Sequence, residues 1–418
     1  MSVVSKPGYK ETEIGWVPSD WSVEQVEKLA DVDSESLSNK TPADFSFRYI
    51  SLGDVDAGKL INGHDHITYS EAPSRARRVV KDGDILFATV RPNLKGHYFA
   101  HRIDGNVIAS TGFAVVRAKD GMASPPYLYQ SLLSGIVDTQ IEKLTVGSNY
   151  PAVNSADVKG LLLPAPPLPE QQKIAAILTA VDDKLDIIAR QIEATQTLKR
   201  GLMQTLFSRK QHASWPVVPL YEVAEVRTGV AKGKKGMKEP AELPYLRVAN
   251  VQDGHIDLSE VKTIEVEMAQ IERYALQSGD VLMTEGGDFD KLGRGDVWEG
   301  QISPCLHQNH VFAVRPNPEK LNSYYLAALA ASDHGRQYFL SCAKRTTNLA
   351  SINSSQLKAL PVLLPPLSQQ EHIASVVDAA NARIGILEAK RQHYQTIKRG
   401  LMQKLLTGEW RVTVEGSL

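Results

Sequence analysis

Cysteine is nearly absent from this sequence: only Cys305 and Cys342 occur in 418 residues, which excludes a disulfide framework and a thiolate metal site. No stretch approaches the ~20 apolar residues that span a bilayer, and Met1 to Trp21 is polar and turn-forming, without the apolar run of a secretory signal. The expectation is a cytoplasmic chain with no membrane contact. Positive charge is not in surplus either. With 47 Lys and Arg against 48 Asp and Glu, the formal net charge is −1, whereas a free-standing nucleic-acid binder usually carries a basic excess. A DNA-binding role therefore requires segregated charge, or a partner that supplies most phosphate contacts. Low-complexity tracts are missing as well. Hydrophobic residues make up 42% and charged residues 23%, as in ordinary folded domains, and the length exceeds what one hydrophobic core usually serves. Two globular units are expected.

The sequence contains itself twice. Asn154 to Leu206 aligns without a gap with Asn353 to Leu405, an offset of 199. Asn154-Ser155 recurs as Asn353-Ser354, Pro166-Pro167-Leu168 as Pro365-Pro366-Leu367, Ile174-Ala175 as Ile373-Ala374, and Lys199-Arg200-Gly201-Leu202-Met203-Gln204 unchanged as Lys398-Arg399-Gly400-Leu401-Met402-Gln403. Upstream the match weakens and acquires gaps: Trp21 and Ala30 pair with Trp215 and Ala224, Gly83-Asp84-Ile85-Leu86 with Gly279-Asp280-Val281-Leu282, and Phe113-Ala114-Val115 with Phe312-Ala313-Val314. A fixed internal period of this kind governs the whole architecture.

Within each globular unit, apolar and β-branched runs flanked by Gly and Asp predict strands at Asp84 to Val90 and Val107 to Val116, with counterparts at Asp280 to Met283 and His310 to Val314. Short helices are expected around Tyr127 to Ser134 and Tyr324 to Ala331. Prolines 164, 166, 167 and 169 hold the chain extended before a helix that starts near Glu170. Along it Ile174, Leu178, Val181, Leu185, Ile188 and Ile192 alternate four and three spacings, the heptad signature. The second helix carries Ile373, Val377, Ala380, Ile384 and Leu387, then Tyr394, Ile397, Leu401 and Leu405. A helix of roughly 35 residues is about 50 Å long, too long to hide its stripe on a small domain, so the two helices are expected to pair antiparallel. The predicted fold is α+β: two mixed α/β globular domains joined by two long antiparallel coiled-coil helices, with pseudo-twofold internal repetition. The expected division is 1–164, helix 165–210, 211–362, helix 363–410 and a tail 411–418.

Catalytic signatures are near-misses. Ser124-Pro125-Pro126-Tyr127 resembles the Asn/Asp-Pro-Pro-Tyr element of amino-methyltransferases, but serine replaces the residue that accepts from the target amine, and no Gly-rich loop precedes it. Gly229 to Lys235 looks like a phosphate loop with one residue too few between its glycines and Lys235 where Ser or Thr belongs. The histidine pairs His64/His66, His97/His101 and His307/His310 lack companion ligands. No metal and no catalytic residue is assigned. Basic and polar clusters are better candidates: Arg75, Arg77, Arg78 and Lys81; Arg91, Asn93, Lys95 and Tyr98; Ser148, Asn149 and Tyr150; Lys232, Lys234 and Lys235; and Lys344, Arg345, Thr346 and Asn348. Arg and Lys suit phosphates and guanine edges, and Asn suits adenine.

Tyr9-Lys10-Glu11-Thr12-Glu13-Ile14-Gly15-Trp16-Val17-Pro18, the stretch Leu163 to Ala175 and the two Lys-Arg-Gly-Leu-Met-Gln elements together resemble the specificity subunits of type I restriction-modification enzymes over essentially the whole length. Ser368-Gln369-Gln370-Glu371 stands where the first copy has Pro169-Glu170-Gln171-Gln172, a mild departure. The resemblance implies a non-catalytic subunit with two target recognition domains, each reading half of a split site in double-stranded DNA. It implies that the helices fix the gap between the halves and dock two modification subunits, with ATP-driven restriction subunits joining the assembly. S-adenosylmethionine, ATP and magnesium are then expected on those partners and none on this chain. A scaffold that uses its helices for protein assembly, without DNA, is the alternative.

Overall fold

The computed structural model describes residues 6–56, 58–61, 66–145, 151–231, 237–287, 292–345 and 350–413. The chain separates into two compact units, one built from Met1–Ile188 with Lys390–Leu418 and the other from Ala189–Ala389. Each unit therefore takes part of both long helices, Leu168–Leu206 and Leu367–Leu406. A linear division of the sequence instead gives each helix whole to one segment.

In the first unit an antiparallel sheet runs in the order Tyr98–Phe99, Ile85–Ala88, Phe113–Ala118, Ala30–Val32. A second sheet, His66–Thr68, Ser46–Ile50, Val107–Ser110, Ala76–Val80, contains one parallel pairing, between Ser46–Ile50 and Val107–Ser110. The single strand expected over Val107 to Val116 is thus two strands in different sheets. Ser110-Thr111-Gly112 reverses the chain, and these small polar residues and the glycine, which break the apolar run, are the local signal of that turn. The second unit repeats the plan: Ala224–Thr228, Val311–Pro316, Val281–Thr284, Gly295–Val297 in one sheet, and Lys262–Glu267, Pro240–Leu246, Leu306–His307 in the other, with a bridge from Ala275 to Leu306 in the fourth place.

Strand registers correct one part of the repeat. Ile85 faces Val116, and its counterpart Val281 faces Val314. Phe113-Ala114-Val115 therefore corresponds to Val311-Phe312-Ala313, one residue away from the match on Phe-Ala-Val. A one-residue slip in a strand exchanges its faces, and here it decides which arginines correspond, Arg117 and Arg315. Both serve one device. A positive-φ glycine, Gly83 or Gly279, turns the chain before a buried aspartate. Asp84 Oδ2 accepts from the Lys81 amide at 2.7 Å while Arg117 grips its two oxygens at 2.8 and 2.7 Å. Asp280 accepts from the Gln277 amide at 2.8 Å and from Arg315 at 2.7 and 2.8 Å.

The repeated Asn-Ser motifs are helix starts. The Asn154 side chain accepts from Ala156 and Asp157 amides at 2.8 and 3.0 Å and Asp157 answers on the Asn154 amide at 2.8 Å; Asn353 and Gln356 do the same for Ser354–Lys358. Ser124 and Asn322 precede the helices Pro125–Leu132 and Ser323–Ala331, close to expectation. The methyltransferase-like tetrapeptide is therefore a helix N-terminus. A further helix in each unit, Gly135–Leu144 and Asp333–Cys342, was not expected from the sequence.

The long helices begin at Leu168 and Leu367. In the first unit Ile174, Ala175 and Leu178 share a core with Leu405 and Leu406, with Leu401 packed against it. Lys398 Nζ reaches Asp182 at 2.7 Å, so the helices run antiparallel there. In the second unit Ile373, Ala374 and Val377 share a core with Met203 and Phe207. Of the remaining packing positions, Ile188, Ile192 and Leu387 are buried, and Val181, Leu185 and Ile384 are half-buried. No helix among the described residues is long and apolar enough to cross a membrane.

Candidate nucleic-acid interface

Each unit brings two distant loops together at one edge. In the first, strand Ile85–Ala88 leads into Val90–Lys95, where Arg91 and Lys95 flank a short 3-10 turn with positive φ of 49° and 53°. Val90 bridges to Ala152, the Arg91 amide donates to Pro151 O at 2.8 Å, and the Val153 amide donates to Thr89 O at 2.9 Å. The second unit makes the same join with Gly286 opposite Ser351, and the Ile352 amide donates to Glu285 O at 2.9 Å. There Lys344–Arg345 adds a third strand against Ala350–Ser351. Ser148, Asn149, Tyr150, Lys232, Lys234, Lys235, Thr346 and Asn348 lie outside the described residues, as does the side chain of Arg345.

Among the cations, Arg75 is exposed and makes no ion pair or side-chain hydrogen bond among the described residues, whereas its neighbours are engaged. Arg77 lies 5.1 Å from the Tyr69 ring and donates to Ala76 O at 2.8 Å. Arg78 pairs with Asp33 at 3.0 Å, and Lys81 pairs with Glu35. Hydrogen bonds from Lys81 and then Arg117 hold the Glu35 carboxyl below its ordinary range. Lys95 is half-buried, donating to Leu133 O at 2.9 Å and to Asp138 at 2.8 Å. Asn93 and Arg91 are exposed, and so is Lys344. Tyr98 packs against the core, and burial raises its hydroxyl pKa.

Tyr98 also reveals a group that sequence reasoning missed. With Arg48, His101 and Arg102 it lines a small cavity of ≈ 70 Å³. These residues are scattered over some fifty positions, and only the pairing of Ser46–Ile50 with Val107–Ser110 brings Arg48 near the others. Arg77 and Arg78 stand in the strand Ala76–Val80, whose counterpart contains Ala275.

The histidines are structural where they are buried. His97 Nδ1 accepts from the Ala88 amide at 2.9 Å beneath Phe87, and burial lowers its pKa to about 3. His307 lies within 3.2 Å of Tyr274 O, and burial lowers its pKa to about 4. No group of three or more metal-ligating side chains occurs among the described residues.

A duplicated α+β domain with a shared framework and long paired helices is the architecture of a protein with two equivalent working units. Comparison with known proteins makes this specific. The type I restriction modification DNA specificity domain matches twice, at residues 18–196 and 213–394, and the chain belongs to that family. It is 25% identical to the type I restriction enzyme MjaVIII specificity subunit of Methanocaldococcus jannaschii, over 99% of this chain and 98% of that one. It is also 25% identical to the EcoKI specificity subunit of Escherichia coli K12, over 66% of this chain and 65% of that one. A chain from a solved type I R-M system, described for its assembly and conformational transition, is 25% identical with a TM-score of 0.59, over 94% of this chain and 99% of that one. The function is DNA sequence recognition within a type I restriction-modification complex.

Proposed function

We propose that each unit reads one half of a bipartite site, about three to five base pairs, and that the paired helices set the gap between the halves and dock two modification subunits. The observation that carries this is the double match of the specificity domain, one copy per unit. Methylation of an adenine in each half-site, after flipping it from the duplex, then falls to the modification subunits with S-adenosylmethionine. ATP-dependent translocation and cleavage, with magnesium, fall to restriction subunits. This chain contributes recognition and no catalytic residue, inside the cytoplasm where the host DNA lies. The reading is tested by the methylation motif of the host genome with and without this gene: a bipartite motif should disappear with the gene, and an unchanged methylome refutes the reading. Lengthening both helices by one turn should change the number of unspecified bases between the half-sites.

A further inference from the structure

The two halves of the chain answer the same helix start in different ways. In the second unit Ser332 Oγ donates to Leu329 O at 2.6 Å and accepts from the Gly335 amide at 3.4 Å, capping the helix Asp333–Cys342. That helix opens on a carboxylate, and Gln204 Nε2 on the long helix donates to Asp333 Oδ2 at 3.2 Å. The Tyr127 and Tyr325 hydroxyls, which donate to Pro164 O and Leu363 O, fix the correspondence between the halves: Ser134 stands for Ser332, Gly135 for Asp333 and Gln403 for Gln204. The first unit therefore has glycine where the second has its carboxylate. Ser134 is 5% exposed, and its Oγ has no partner among the described residues. It does not cap Gly135–Leu144, and the Gly135 and Ile136 amides at that helix start have no acceptor among the described residues. All of these groups line one cleft of ≈ 590 Å³ whose sides include Ile14, Leu133, Met402 and Leu406. Of the charged residues around it, Lys95 is answered by Asp138, and Lys143 and Arg399, both exposed, outnumber Glu13 by one.

We propose that this cleft binds a small phosphate monoester with an apolar body, its anion taking at the start of Gly135–Leu144 the place that the Asp333 carboxylate holds in the second unit. A helix start attracts anions because its free amides, and the aligned peptide dipoles worth about half a positive charge, point toward them. The Gly135 and Ile136 amides, the Ser134 hydroxyl and the Gln403 amide supply donors, and the Arg399 guanidinium suits a pair of phosphate oxygens. One surplus positive charge together with that half matches a monoester, which carries about −1.5 to −2 near neutral pH. The apolar sides take the body of the ligand, and the cleft lies within the range of about 300–1,000 Å³ usual for small-molecule sites. Such a site is independent of how the two units divide the reading of DNA.

The test is isothermal titration of the full-length chain at low salt with adenosine monophosphate, with adenosine and with inorganic phosphate. Adenosine monophosphate should bind once per chain, about tenfold or more tightly than either fragment. Gly135→Asp gives the first unit the carboxylate of the second, and there is room for it, since a Cβ at Gly135 meets no atom within 4 Å. This variant should lose about tenfold or more in affinity for adenosine monophosphate while its melting temperature holds or rises, because an acidic residue suits a helix start. Ser134→Ala and Arg399→Gln should each weaken binding about three- to tenfold. Adenosine monophosphate that binds no better than adenosine, or equally well to Gly135→Asp, overturns the proposal. Inorganic phosphate that binds as tightly as the nucleotide overturns the apolar body. A short DNA duplex of unrelated sequence that displaces the nucleotide gives the anion position to a DNA phosphate and overturns the small-molecule assignment.

Discussion

Asp84 and Asp280 are fully buried carboxylates whose charge is answered by one arginine each. Replacing Asp84 by alanine leaves Arg117 with Glu35 as its one carboxylate partner and strands the Lys81 amide, which should cost about 1–3 kcal/mol. Chemical denaturation checks this, and a change below 1 kcal/mol would show the pair to be dispensable. His97 and His307 make the acid limb of stability. Folded, their pKa values are about 3 and about 4; unfolded, a histidine titrates near 6.5. The unfolded chain therefore binds more protons between those values, and stability that is intact above about pH 6.5 drains away as pH falls toward 3–4. At pH 5 the loss is about 2 kcal/mol per histidine. His97→Asn, whose Oδ1 can accept the Ala88 amide in place of Nδ1, should flatten the pH dependence of the denaturation midpoint between pH 6.5 and 4. At this scale the sequence was half legible: the repeated Gly-Asp stood out, while its arginine partners were hidden by the Phe-Ala-Val match, a similarity of letters that outweighed strand register.

Glutamine tethers each long helix to its unit, and the periodicity gave no hint of it. Gln171 Oε1 accepts from the Ser124 amide at 2.9 Å and its Nε2 donates to Pro166 O at 2.9 Å and Met122 O at 3.2 Å. Gln370 repeats the clamp on the Asn322 amide at 2.9 Å, Pro365 O at 2.8 Å and Lys320 O at 3.0 Å. What looked like a shuffled Glu-Gln-Gln against Gln-Gln-Glu thus keeps one glutamine in place. Gln171→Leu or Gln370→Leu orphans buried backbone groups and should cost about 2–3 kcal/mol, read as a lowered denaturation midpoint. Gly201→Ala and Gly400→Ala should each stabilise the chain by about 0.5–1 kcal/mol. The long helices were readable because heptads and flanking prolines are local signals. Gly135–Leu144 was not, because its apolar positions are few and only Val137 and Ile141 are buried.

For the whole molecule, the charge balance of −1 does not describe each surface: Arg78, Lys81, Lys95 and Arg117 are matched to carboxylates, while Arg75 is exposed with no ion pair among the described residues. In the assembled complex Arg75→Ala should weaken DNA binding alike on specific and unrelated sequences and reduce the salt dependence by about one counterion; an unchanged salt slope removes Arg75 from the interface. Candidate contacts were legible only as composition, since the topology that joins Arg91 to Pro151, or Arg48 to Tyr98, is non-local. The drifting register between the halves carries a last consequence. Framework pairs stand 194 residues apart at Ala30 and Ala224, 198 at Val116 and Val314, and 199 at Asn154 and Asn353, so every length change falls in the segments between shared anchors. Those anchors make the intervening segments interchangeable cassettes. A chain carrying the first cassette in both positions should fold, and the genome it marks should bear a motif built from one half-sequence used twice.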